Sequence, residues 1–178
     1  MIVSASRRTD LPGFYGQWLL NRVRAGHAVA VNPFNPRQRR RVPLDPGSVD
    51  AFVFWTRDPA RLAELVGWLE GLGHRRWIAH VTLTGLPREL EPGSPEPAAV
   101  VAGIERLAAR AGDPQRVTWR YDPILLGPRD DFRQHEARFA GLARAVSKHV
   151  GRVVVSFLDL YRKTERRLRE AGYPYFPN

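Results

Sequence analysis

The chain has 178 residues, and its 28 lysines and arginines outnumber 18 aspartates and glutamates, for a net charge of +10. It has no cysteine, which excludes disulfides, thiolate metal sites and cysteine nucleophiles, and no apolar run long enough to cross a bilayer, so no membrane partner is expected. The length suits one domain over residues 1–178. The N-terminus enters strand-like sequence without a basic or apolar leader, which makes the cytoplasm the expected compartment.

Ile2-Val3-Ser4-Ala5-Ser6 reads as a first strand, followed by a polar loop through Asp10. Pro12 favours a helix start; Phe14, Trp18, Leu19 and Val23 keep helical spacing, and Gly26 stops the helix. His27 to Val31 is a second strand, with Arg40 to Leu44 as a candidate hairpin arm beside it. Ala51 to Trp55 is apolar throughout, the pattern of a sheet covered on both faces. Asp58-Pro59 opens a helix, and Trp77 to Leu83 is the next strand. A helix starts near Pro97 and closes at Gly112. Arg116 to Asp122 is a strand that Pro123 should end, since proline cannot donate to a ladder. Asp130 or Asp131 caps a long helix, Arg152 to Phe157 is a further strand, and a last helix runs from about Lys163 to Ala171.

Strand and helix alternate without repeats, which predicts right-handed βαβ units and a parallel sheet. No Gly-rich fingerprint follows a strand, and the phosphate-loop motif is absent. The expected fold is therefore an α/β, incomplete (β/α) barrel of the TIM type with about six parallel strands, fewer than such a barrel needs. The edges near Ile2-Val3 and Val153-Val154-Val155 would be open, inviting self-association or cover by Tyr173, Tyr175 and Phe176.

In such folds ligands bind at the carboxyl ends of strands. The candidates there are Arg7, Arg8 and Asp10; Asn32 and Asn35; Thr56 and Arg57; Thr82 and Thr84; Arg120, Tyr121 and Asp122; and Ser156, Asp159 and Tyr161. Arg120 and Asp122 stand two apart and share a side of their strand, as a clamp for an anion with its carboxylate or as a structural pair. Arginines would hold anionic groups, and Asp10, Asp122 and Asp159 would move protons or orient the ligand. His80 lies inside a strand and is the histidine singled out for a role. The arginines are scattered, so the basic balance is open to a purely compositional reading, and three functional readings stand: a small anionic or nucleotide-like ligand bound by an enzyme, a nucleic-acid-binding module using the run Arg37-Gln38-Arg39-Arg40-Arg41, or a degenerate truncated protein without activity. The reaction and the cofactor are not readable from the residues.

Six segments together resemble a known family: Ile2 to Asp10, Asn32 to Pro36, Phe54 to Pro59, Thr82 to Gly85, Trp119 to Pro123 and Ser156 to Lys163. They are similar to the signature segments of the bacterial domain of unknown function 1848 family. The resemblance implies a barrel related to radical S-adenosylmethionine enzymes and, in full-length relatives, a C-terminal cysteine cluster holding an iron–sulfur centre. The present chain has no cysteine and is expected to correspond to the N-terminal portion of a longer protein.

Overall fold

A computed structural model describes residues 1–6 and 8–176. The elements in chain order are β1 (Ile2–Ala5), α1 (Leu11–Arg24), β2 (His27–Asn32), β3 (Asn35–Pro43), β4 (Ala51–Thr56), α2 (Pro59–Gly71), β5 (Trp77–Thr82), α3 (Pro97–Ala111), β6 (Val117–Ile124), α4 (Phe132–Val146), β7 (Arg152–Phe157) and α5 (Arg162–Glu170). The helix starts are set by short polar caps. Asp10 accepts from the Gly13 N–H, Asp58 from the Arg61 N–H, and Asp131 forms a capping box with Gln134. At the end of α3, Gly112 takes a φ of 66°, a left-handed conformation that glycine adopts without a Cβ clash.

Five strands form one parallel sheet in the order β1-β4-β5-β6-β7. The expected count of about six is corrected here, because the strand ending near Val31 is not in this sheet. Instead β2 pairs antiparallel with β3 as a separate two-stranded ribbon. Its two arms are joined by only Pro33 and Phe34, so local pairing is reached at far lower loop-closure cost than a return to the main sheet. The ribbon is thus an insertion between α1 and β4. β1 and β7 are the sheet's two edges, and no closed barrel forms.

Phe52, Phe54, Trp77, Ala79, Val81, Val117, Trp119 and Tyr121 all point to one side and pack against Leu19, Leu20, Leu62, Val66, Val100, Ile104, Leu107 and Val146 of α1 to α4. The opposite side carries Ser4, Val53, Trp55, Ile78, His80, Thr82, Arg120 and Val154, none of which is fully buried. The apolar run of β4 therefore misled: only one face lies under helices, and Val53 and Trp55 belong to the other. β6 also runs on past Asp122 to Ile124, because the register shifts between Tyr121 and Ile124. An irregularity of that kind accommodates Pro123 without needing its missing N–H.

A second, smaller core of Leu125, Leu168 and Tyr173 joins α5 and the C-terminal segment to the loop after β6. There the Phe176 N–H donates to the Leu126 carbonyl at 2.9 Å. The aromatic tail covers that loop and leaves Val153, Val155 and Phe157 of the β7 edge exposed.

Candidate functional site

The open face of the sheet is built by side-chain alternation. Residues two apart on β6 share a side, so Arg120 and Asp122 reach this face while Tyr121 turns beneath the helices. Arg120 pairs with Asp122, and the Ser156 hydroxyl on β7 donates to the other Asp122 oxygen at 2.5 Å. The Arg120 guanidinium also stands 5.0 Å from the centre of the Trp55 ring on β4. Between them on β5, His80 stacks on Trp55 at 4.2 Å, nearly parallel, and the Trp55 indole N–H donates to the Ser4 hydroxyl at 3.2 Å. A row of polar and aromatic groups thus crosses all five strands.

Electrostatics distinguishes these groups. Burial alone would push the Asp122 carboxyl up, but the Ser156 hydroxyl and the Arg120 guanidinium outweigh it and hold the carboxyl below its usual value. Asp122 is therefore a carboxylate at neutral pH. Burial, then the charges of Arg120 and Arg152, push the His80 imidazole down, which keeps it neutral. Its Nδ1 is buried and has no hydrogen-bond partner among the described residues. An unmade bond at such a buried atom costs ~1–3 kcal/mol.

At the carboxyl ends of the strands a second set of contacts forms the rim. The Thr56 hydroxyl donates to both Asp10 oxygens, at 2.8 and 2.9 Å, and the Arg57 N–H donates to Asp10 at 2.7 Å. With the Gly13 cap, these bonds occupy Asp10 in tying β1, β4 and α1 together. Arg57 Nη1 pairs with Glu91 at 2.6 Å, and Glu91 also accepts from the Thr84 hydroxyl at 2.9 Å. Above this rim lies a cleft of about 780 Å³ whose charged lining includes Arg57, Glu89, Glu91, Lys163 and Arg167. Pro123 and Leu158 also line it, which places it over the ends of β6 and β7.

Of the residues singled out in the sequence, Arg120, Asp122 and Ser156 come together directly. Thr56 and Thr84 are buried rim residues engaged with Asp10 and Glu91. Arg8 and Asp159 are exposed loop residues after β1 and β7. Asn32 and Asn35 lie at the turn of the ribbon, where their side chains accept from Phe34 and Arg37 N–H groups, and so are in a different sheet from Arg120. Arg7 lies outside the described residues. Tyr121 is fully buried: its hydroxyl meets His135 Nδ1 at 2.8 Å, and burial pushes its phenol up. Arg57, a candidate at the end of β4, meets Glu91 at the rim, whereas Trp55, Glu91, Lys163 and Arg167 were absent from the candidates. For Trp55 a signal existed, since it lies at the end of an apolar strand; Glu91 and the α5 cations enter through loops whose course is not periodic.

An iron–sulfur centre requires thiolates, and this chain has no cysteine. Among the described residues no group of three or more His, Cys, Asp or Glu side chains could hold a metal ion. The residues present do not fit such a centre, and no step is derived through one. Among the described residues, no helix is long and apolar enough to cross a membrane. No curated protein and no solved structure matches the chain. The sequence model of one family, described as Domain of unknown function (DUF1848), matches residues 2–177, and the chain belongs to that family.

Proposed function

We propose that the protein binds a small anionic, nucleotide-like ligand at the carboxyl ends of its parallel strands, and that the five β/α units are consecutive units of a TIM-type barrel. The observation that carries this reading is Arg120, set between the Trp55 ring and the Asp122 carboxylate beside the neutral imidazole of His80. A guanidinium held by a carboxylate and an aromatic face keeps its remaining N–H donors oriented, which lowers the ordering cost of an anion. A flat ring would extend the Trp55–His80 stack at its end, and its phosphates would reach Arg57, Lys163 and Arg167, which share the cleft with Glu89, Glu91 and Glu170. The cleft volume falls in the range of small-molecule sites. Asp122, an ionised carboxylate, is suited to accept a proton or to fix Arg120, not to donate one.

Calorimetric titration with ADP tests the reading. The wild type gives a saturable heat, and Arg120→Ala weakens binding by ~10- to 100-fold, the value of a charge-assisted contact. Equal binding by the variant, or no heat from ADP or pyrophosphate with the wild type, would contradict it.

A further inference from the structure

The ribbon of β2 and β3 takes no part in the site above. Its root, where the Leu44 N–H donates to the Gly26 carbonyl, leads through residues 45–50 to the start of β4. Ala51 there pairs with Ile2, the first residue of β1, so the ribbon springs from the amino ends of the strands, opposite the rim.

Between Leu11 and Leu44 the chain has six arginines and no aspartate or glutamate. Four of them, Arg37, Arg39, Arg40 and Arg41, lie exposed on β3. Among the described residues none of these four is in an ion pair. Arg39 is paired across the ribbon with Val31 and Arg41 with Val29, and both valines are exposed. At the tip Phe34 is 96% exposed and stands between Pro33 and Asn35-Pro36. A large apolar ring at the end of a cationic arm has no stabilising role within the fold. Minor-groove proteins combine the same elements: arginine, asparagine and glutamine side chains in the groove, and a phenylalanine or proline wedge between base steps.

We propose that this ribbon binds duplex DNA, with the β3 arginines on the phosphates and Phe34 wedged into a base step from the minor groove. Gln38 lies next to the tip and enters the groove with it, and with no carboxylate on the arm nothing there repels the phosphates.

The test is fluorescence anisotropy with a labelled duplex of roughly 20 base pairs, intact or nicked, over a range of salt. The wild type should bind with a steep salt dependence and prefer the nicked duplex, where unstacking is cheaper. Changing Arg37, Arg39, Arg40 and Arg41 together to Gln should flatten the slope of log K against log salt by about 3–4. The same four positions changed to Lys should retain binding, and four exposed arginines elsewhere (Arg106, Arg129, Arg133 and Arg169) changed to Gln should leave the slope within about 1 of wild type. Phe34→Ala should keep the slope and lose the preference for the nick. Circular dichroism melts confirm that each variant is folded. The proposal is overturned if the distal quadruple variant flattens the slope as much as the ribbon variant, if Phe34→Ala keeps the nick preference, or if RNA or anionic lipid vesicles bind more tightly than DNA.

Discussion

Arg120 on β6 reaches over β5 to stand 5.0 Å from the Trp55 ring on β4, so two non-adjacent strands share one cation–aromatic contact. This places a permanent charge, an indole and the imidazole of His80 on a sheet face that no helix covers. The same guanidinium is anchored by Asp122, and that pairing sets the first prediction.

Because the Asp122 carboxyl lies below its usual value of 3.8 in the folded protein, its stabilising contribution is present above that value and is lost as pH falls through the folded value. Asp122→Asn should therefore be less stable than the wild type at neutral pH, by ~1–3 kcal/mol. The difference should shrink below about pH 4, the ordinary range of an aspartate. Melting temperatures of the two proteins across acid and neutral pH check this.

In the loop between β6 and α4, Asp130 is fully buried and takes both Arg138 nitrogens, at 3.0 and 2.8 Å. Asp130→Ala leaves that guanidinium without its carboxylate and should cost ~3–5 kcal/mol in denaturant unfolding. Tyr121→Phe removes the hydroxyl from His135 Nδ1 and should cost less, ~1–3 kcal/mol. Neither change should alter ADP binding once the protein is folded, since neither residue lines the cleft.

Asp10 separates stability from binding in the opposite way to Arg120. Its carboxylate accepts from Gly13, Thr56 and Arg57, so Asp10→Ala loses a helix cap and leaves rim donors unmet. A loss of ~2–4 kcal/mol is expected from the cap and the unmet donors together, read by chemical denaturation. ADP affinity should fall less than for Arg120→Ala.

Helix packing supplies a fourth expectation. A Cβ added to Gly103 would stand 2.6 Å from Pro59 Cγ and 2.9 Å from the Ala60 nitrogen, where α3 meets α2. Gly103→Ala should destabilise by ~1–3 kcal/mol through overpacking, against the usual gain for this change inside a helix.

Much of this architecture was legible in the residues. Prolines and aspartates at helix starts announced α1, α2 and α3, and Asp131 did so for α4, because caps are local chemistry. The same-side placement of Arg120 and Asp122 followed from strand alternation alone. The ribbon was half legible: the pairing of Arg40 to Leu44 with the second strand was visible, but its exclusion from the main sheet depends on which competing partner is nearer. The apolar β4 run suggested two covered faces because hydrophobic pattern does not report what packs against it. Arg57, Lys163 and Arg167 converge only through the paths of three loops and α5, which no spacing encodes.

The most direct test of the ligand site follows arginine side-chain Nε–H and tryptophan indole signals by NMR while ADP is added. The account predicts that the Arg120 and Arg57 Nε–H and Trp55 indole signals shift together and saturate with one dissociation constant, with the Trp119 indole, buried and bonded to Leu83, unmoved. Saturable shifts elsewhere with Arg120 and Trp55 unchanged, or no shifts at any of them, would contradict it.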